Sequence, residues 1–390
     1  MQSNPSNNLP IYLDFNASAP VLPEVAQTMA PWLNGGVGNS SSKHVYGQRA
    51  RETVEGARRN LAGLIHCKPS EIIFTGGGTE ASTLALKGLA PPARGLWGKM
   101  LPGFRLYLSP ADHPASIETG FEMAKIGQAR LKWMELDKAG RVDLEKAARL
   151  IRPGRGLVTT LVAHNESGTL QPVRELADLC KKKGVPLHAD GAQVVGKIPC
   201  DVRELGCDLL TIAGHKMGAP QGIGALFVRE GICLKPQVFG GGQEGGLRAG
   251  TEPVALIAGL GEAARVAREA MQLVNPKIAE LRDELWNLLS HGLGDRILRV
   301  THPTMALPNT LFVAIRNTDT GRLLNELPRL CASTGSACHD GRHQSRLLGA
   351  MGIDKHWHTG TLRLSLGRTT SREEIITAVG WILEKAQSSS

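Results

Sequence analysis

The stretch Asp208-Leu-Leu-Thr-Ile-Ala-Gly-His-Lys-Met217 decides the reading of this chain. Leu209 to Ala213 make a short, mostly apolar run of the kind that forms a buried strand. Gly214 breaks the run, so His215 and Lys216 stand where the strand leaves its sheet. A lysine there can be an ordinary exposed strand-end residue, as most lysines are. It can also be a reactive one, because in a partly desolvated, cationic pocket its pKa falls and its amine can condense with a carbonyl to form a Schiff base. What else the sequence delivers to the same end of the sheet settles the choice.

Runs of the same type lie on both sides. Strands are predicted at Glu71–Phe74, Arg105–Leu108, Leu157–Ala163, Pro186–Ala189 and Gly224–Val228. Helical spacing of apolar residues covers Tyr46–His66, the segment from Glu80 through Lys87, Leu144–Ile151 and Val173–Lys183. Strands alternating with helices indicate an α/β fold with a mostly parallel sheet covered on both faces. Ligands of such sheets bind at the carboxyl ends of strands, and Asn165, Asp190 and Lys216 all stand at such ends.

Farther along, Phe239-Gly-Gly-Gly-Gln-Glu-Gly-Gly-Leu-Arg-Ala-Gly-Thr251 is a glycine-rich loop with Arg248 and Thr251 embedded in it. A helix over Pro253–Leu273 follows, and the domain boundary is placed within it. Asn275-Pro276 is expected to start a new helix. Strands at Thr310–Ala314 and Leu362–Leu366 and a capping box at Ser371-Arg-Glu-Glu374 complete a smaller α+β domain. The expected division is a large domain over residues 21–262 and a small one over 1–20 and 263–390.

Composition narrows the class. At 390 residues the chain is long enough for two domains and a large core. Apolar content of 42% against 21% charged excludes a disordered chain. No run of about 18 apolar residues occurs, so no membrane span is expected. The polar Met1-Gln-Ser-Asn-Pro-Ser-Asn-Asn8 lacks the apolar core of a signal peptide. The formal charge is +9, yet the basic residues are scattered, so nucleic acid is not the expected partner; an acidic partner protein remains open. Seven cysteines at irregular spacing, with no CxxC pair, argue against a disulfide framework or a metal site and fit a reducing cytoplasm.

Each candidate site residue has a chemical and a plain reading. Thr75-Gly-Gly-Gly-Thr79 between a strand and a helix start can cradle phosphate with bare backbone N–H groups, or be a tight turn. Asp190 can pair with a protonated pyridine nitrogen, or cap Gly191-Ala-Gln193. Gln193 and Asn165 can donate to a phenolate oxygen, or be satisfied loop amides. His113 in Ala111-Asp-His-Pro-Ala115 can stack on a ring and move protons, or be structural. His215 can bind a phosphate. Together with Lys216 these groups could supply the main contacts of pyridoxal phosphate.

The chain resembles the NifS/IscS-type cysteine desulfurases and selenocysteine lyases, which are fold-type-I pyridoxal-phosphate enzymes. The resemblance runs from about Ile11 to the final helix. It is carried by Tyr12-Leu-Asp-Phe-Asn-Ala17, Phe74-Thr-Gly-Gly-Gly-Thr-Glu80, His164-Asn-Glu-Ser-Gly168, His188-Ala-Asp-Gly-Ala-Gln193, Gly214-His-Lys216, Arg248-Ala-Gly-Thr251, Ser336-Ala-Cys338 and Leu362-Arg-Leu-Ser-Leu-Gly-Arg368. It implies a seven-stranded, mostly parallel sheet in the large domain, a homodimer, and L-cysteine or L-selenocysteine as substrate, with a sulfur- or selenium-acceptor protein as a further partner.

By the same resemblance, Lys216 would carry the cofactor, Asp190 would hold its pyridine nitrogen, Gln193 and Asn165 would contact its phenolate oxygen, and His113 would stack on it. Gly78, Thr79 and His215 would bind its phosphate, with Thr251 reaching over from the second subunit. Arg363 and Asn39 would take the substrate carboxylate, the arginine as a bidentate fork. Cys338 would be the nucleophile on a loop. Its glycine, histidine and arginine neighbours suit a low-pKa thiol. Several positions depart from the common pattern of that family. Ala213 stands where a serine often helps hold phosphate, Thr83 where an asparagine is common, and Gly218 where a bulkier residue is usual, while His339 follows Cys338 as in selenocysteine lyases.

Overall fold

In the computed structural model, residues 9–91, 103–334 and 347–388 are described. Cys338 and His339 fall outside them. Leu209–Ala213 is a strand with every residue buried, third in a seven-stranded sheet. The order across that sheet is Ile72–Thr75, Gly224–Val228, Leu209–Ala213, Leu187–Asp190, Gly156–Leu161, Arg105–Leu108 and Arg130–Trp133. Only Gly224–Val228 runs against its neighbours; the rest are mutually parallel. The central strands are buried along their whole length, which is why they read as unbroken apolar runs.

The seventh strand, Arg130–Trp133, is at the edge and mostly exposed. Its Arg-Leu-Lys-Trp sequence lacks the buried-strand signature, as expected where charge blunts a free edge.

Parallel pairing aligns the strand ends. Leu161 lies opposite Asp190 in register, and Asp190 lies opposite Thr211. The segments leaving these strands therefore emerge along one edge of the sheet: Gly76–Gly78, Asp112–His113, Asn165, Asp190–Gln193 and Gly214–Lys216.

The second sheet has four antiparallel strands in the order Ser333–Thr334, Thr361–Ser365, Thr310–Ile315 and Ile297–Arg299. Ile11–Tyr12 pairs with Leu330–Cys331, which ties the N-terminal stretch to this part of the molecule. The capping box forms as expected: Glu374 N–H donates to Ser371 Oγ at 3.2 Å, and Ser371 N–H donates to a Glu374 carboxylate oxygen at 2.8 Å.

One expectation fails. Asn275-Pro276 does not start a new helix. Val254–Leu293 is a single 40-residue helix with Pro276 inside it. Proline removes one N–H and crowds the preceding turn, but packing on both sides outweighs that local signal. Ile257, Leu260, Ala264 and Met271 enter the core of the large sheet, while Ile278, Leu285, Leu289 and Leu293 enter the core of the small one. The helix thus runs through both cores, and the Asn275 side-chain amide donates to the Lys197 carbonyl at the crossing.

Candidate active site

Lys216 ends a single 3-10 turn, Gly214–Lys216, directly after its strand. Gly214 is required there: a Cβ would lie 2.9 Å from the Ile223 carbonyl oxygen. The lysine amine donates to the carbonyls of Asn16 and Ala17, both at 2.7 Å. Ala19 N–H bonds the His215 carbonyl at 2.8 Å, so the N-terminal stretch is laced across the lysine turn.

Asn16 is the hub of this crossing and is 1% exposed. Its carbonyl also accepts from Gln193 Nε2 at 2.9 Å. Its side-chain nitrogen donates to Thr310 Oγ1 (2.8 Å) and the Asn165 carbonyl (3.3 Å), and its N–H donates to Ser365 Oγ (3.0 Å). Its Oδ1 accepts from the Lys197 amine (2.7 Å) and Asn309 Nδ2 (3.1 Å). Sequence reasoning quoted Asn16 inside a motif but gave it no role. A polar residue between apolar Leu13 and Phe15 on one side and small residues on the other was the available signal.

Asp190 is buried beside this hub. Burial raises its pKa, and His113 and Lys216 act in the opposite direction. One of its oxygens accepts Ala192 N–H at 3.0 Å, a contact within a turn; no helix starts at Gly191, so Asp190 does not cap a helix there. That contact uses one oxygen and leaves the carboxylate able to face a ring nitrogen as well.

His113 caps the helix Pro114–Lys125, its Nδ1 accepting Ala115 N–H at 3.1 Å. A neutral ring with Nδ1 as acceptor carries its proton on Nε2. The preceding Asp112 is buried, which holds its pKa well above the usual carboxylate range. It bridges two strand ends by accepting from Ser109 N–H (2.9 Å) and Leu161 N–H (3.0 Å). Asp112 thereby fixes the loop that presents His113, a function its sequence context did not show.

The glycine loop lies at the other end of the Lys216 turn. Gly77 has φ +151°, a region few residues other than glycine adopt, and it turns the chain from strand into helix Gly78–Leu89. A Cβ on Gly78 would sit 3.2 Å from the Ala213 Cβ, so the loop abuts the end of the lysine strand. The N–H groups of Gly78 and Thr79 lie in the first helical turn, where no carbonyl four residues back can take them. Glu80 locks the loop by accepting Gly76 N–H at 2.9 Å and pairing with Arg248 at 3.0 Å. This pair, unseen in the sequence, connects the two glycine-rich loops.

Thr251 is exposed, and its neighbour Glu252 accepts from Ser40 Oγ. Asn39 is exposed in a turn, its Oδ1 taken by Ser41 N–H at 2.9 Å, and it makes no hydrogen bond to the Lys216 cluster.

Three of the buried side-chain atoms without a hydrogen-bond partner among the described residues lie in this region: His215 Nδ1, Arg363 Nε and Glu166 Oε2. Burial, then Lys216, Lys197 and His113, depress the His215 pKa to about 4, so the ring is neutral. Arg363 is 5% exposed and donates to Asp14 (2.6 Å), Ser333 Oγ (3.0 Å) and the Asn165 carbonyl (3.1 Å). Beside it, Glu166 is raised to about 7 by burial, with Arg363 acting in the opposite direction. Donors at a glycine-lined helix start, a buried carboxylate, an amide pair and a lysine amine fit the phosphate, ring nitrogen, phenolate and aldehyde of pyridoxal phosphate. Cys338, the nucleophile the resemblance implies, lies outside the described residues.

Gly218, where relatives of the resembled family carry a bulkier residue, has a local cause. Its φ is +86°, and a Cβ would meet Leu22 Cγ at 2.6 Å.

Fold and site together define a lysine-based, aminotransferase-like centre at the carboxyl edge of a mostly parallel sheet. The chain belongs to the class-V aminotransferase family, whose model matches residues 11–377. It is 37% identical over 387 residues to the cysteine desulfurase IscS of Shewanella sp. strain ANA-3, covering 96% of this chain and 92% of that one. It is 36% identical over 375 residues to the cysteine desulfurase IscS of Pectobacterium carotovorum, covering 94% and 90%. Among solved structures it is similar to a NifS-like protein (31% identical, TM-score 0.89, covering 97% of this chain and 100% of that one). It is also similar to SspA solved in complex with cysteine (31% identical, TM-score 0.79, covering 92% and 99%).

Proposed function

We propose that this protein is a pyridoxal-phosphate-dependent cysteine desulfurase. L-cysteine and the Cys338 thiol become L-alanine and a Cys338 persulfide, which passes sulfur to an acceptor protein. The observation that carries the reading is the convergence of the Lys216 amine and the Gln193 amide on one carbonyl, that of Asn16, beside the buried Asp190. When bound, pyridoxal phosphate supplies an electron sink conjugated to the α-carbon of the amino acid.

The chain supplies the rest. Asp190 would keep the ring nitrogen protonated. Gln193 and Asn165 would address the phenolate oxygen, and His113 would stack on the ring. Gly78, Thr79, His215 and Thr251 of the partner subunit would hold the phosphate. Arg363, with Asn39, would orient the substrate carboxylate, and the Lys216 amine would take the α-proton. Cys338 takes the sulfur. The active unit is a homodimer, because the family resemblance places the Arg248-Ala-Gly-Thr251 loop across a subunit interface; Thr251 is exposed on that loop. The cytoplasm is the compartment that suits the six described cysteines, all of them free.

The test is to supply L-cysteine and L-selenocysteine separately to the purified protein and to measure alanine and enzyme-bound sulfur. Alanine from cysteine with a persulfide on the protein supports the reading. Alanine from selenocysteine alone replaces it with a selenocysteine lyase, the alternative kept open by His339 next to Cys338.

A further inference from the structure

A second lysine lies in the site and has no part in the reading above. Lys197 follows Gln193 by four residues. Its stem is partly exposed along an apolar cavity between the two cores, while its amine end is enclosed by protein. The amine donates to Gln193 Oε1 at 2.9 Å and to Asn16 Oδ1 at 2.7 Å. We infer that Lys197 is a positioning residue of this site, setting the Gln193 and Asn16 amides so that their nitrogens face the groups they serve.

The argument rests on donors and acceptors. A glutamine amide has nearly the same shape either way round, and only its hydrogen bonds decide which end is oxygen. Lysine offers donors alone, so the atom against Lys197 is an oxygen. The Asn16 carbonyl accepts alone, so the atom against it is the Gln193 nitrogen. Reversing the amide would set oxygen against oxygen and N–H against N–H. The Asn16 side chain is fixed likewise, its oxygen facing both Lys197 and Asn309 Nδ2 and its nitrogen facing Thr310 and Asn165. With one Gln193 N–H given to Asn16, the other is the donor that a phenolate oxygen would take. A reversed amide would present it with a lone pair.

The backbone supports the same role. Lys197 N–H bonds the Val194 carbonyl at 2.9 Å, and the Lys197 carbonyl accepts from Asn275 on the long helix. Neither of its amine partners is a carboxylate. Lys216 and Arg363 are the charged groups that act on it, both positive, and together with burial they push its pKa well down. A neutral amine keeps two hydrogens for these two oxygens but gains a lone pair; the Asn16 carbonyl, which accepts alone, still holds the Gln193 nitrogen on its own side.

The inference rests on the pyridoxal-phosphate reading and is tested on the holoenzyme by the pH titration of the cofactor's visible band. The charged and titratable groups around that titration are Lys216, Lys197, Arg363, Asp190, His113 and His215. A donor aimed at the phenolate favours the deprotonated cofactor. Lys197→Met should therefore raise the midpoint, by about one pH unit. Gln193→Ala should raise it similarly, and the double variant should move no further than the larger single one, because both remove one unit. An unmoved midpoint in a cofactor-loaded Lys197→Met protein, or additive shifts, would overturn the inference.

If that variant does not fold, Lys197→Gln, which keeps a donor, should give an intermediate midpoint. A wild-type holoenzyme crystal structure with the Lys197 amine beyond hydrogen-bond reach of Gln193 would overturn the inference without any variant. A wild-type protein that takes up no cofactor overturns the underlying reading instead.

Discussion

Asp14 Oδ1 lies 2.6 Å from an Arg363 guanidinium nitrogen, although the two residues are 349 positions apart. Ser333 Oγ donates to Asp14 and accepts from Arg363, all at 3.0 Å. The fork proposed to receive a substrate carboxylate is thus held in place by an internal one. Replacing Arg363 by alanine should raise KM for L-cysteine strongly, with the cofactor spectrum unchanged. Losing a buried charge-assisted pair costs about 2–5 kcal/mol. Asp14→Asn should instead act on stability, because it leaves the buried Arg363 cation uncompensated. A loss of about 3 kcal/mol in urea unfolding is expected. An unchanged KM in the first variant would move the carboxylate role elsewhere, with Arg368 the next candidate.

Lys216→Ala should lose the cofactor attachment that borohydride reduction makes permanent. Among the described residues, the one other lysine amine bonded into the Asn16 hub is Lys197, which donates to Gln193 and Asn16. Peptide mapping after reduction should therefore find the cofactor on Lys216 in the wild type and on no lysine in the variant. Labelling at Lys197 in the variant would show that the two amines exchange roles.

The sequence made the central strands legible because burial on both faces leaves an unbroken apolar run in each. Arg130–Trp133 was not legible, since an exposed edge strand carries no such run. The 40-residue helix was misread at Pro276 because a local breaker was weighed without the two cores that hold it. In the site, residues that stand at strand ends could be picked out one by one. Asn16, Asp14, Asp112 and Lys197 could not, because what they do depends on partners tens to hundreds of positions away, as in the bond from Asp112 to Leu161.

Acid should act on the sheet through His188, which sits between Thr159 Oγ1 (2.8 Å) and Thr211 Oγ1 (2.9 Å). Burial lowers its pKa from 6.5 to about 3. The folded state thus binds fewer protons there than the unfolded state between those values. Its stabilising contribution is complete above pH 6.5 and is lost as pH falls toward 3, by about 1.4 kcal/mol per pH unit. His164, also at about 3, acts in the same sense. Glu166, Asp112 and Asp190 have raised pKa values and act in the opposite sense. The difference between wild type and His188→Gln isolates the one histidine. Urea midpoints measured from pH 7 to 4 should converge as pH falls, and parallel curves would remove His188 from the acid response.

The last prediction concerns which cysteine takes the sulfur. Burial pushes Cys67, Cys180 and Cys207 up to about 12 and raises Cys200 as well, so none of these four offers a thiolate near neutral pH. Cys331 is tied into the pairing with Tyr12, and Cys233 is exposed in the connection after the strand Gly224–Val228. Cys338, among glycine, histidine and arginine, has the sequence context of a nucleophile. A selenol ionises well below neutral pH, so selenolate leaves more readily than thiolate. Elimination from cysteine therefore depends on a group acting at the departing atom, and elimination from selenocysteine depends on it less. Cys338→Ala should abolish alanine formation from L-cysteine while leaving measurable release from L-selenocysteine. The loss should appear in kcat as well as kcat/KM, since the contact is made in the transition state. Wild-type protein incubated with cysteine should gain one sulfur, lost on reduction and absent from the variant, by intact mass. Full activity of Cys338→Ala on cysteine would end the persulfide mechanism and leave a simple lyase on the same lysine-centred site.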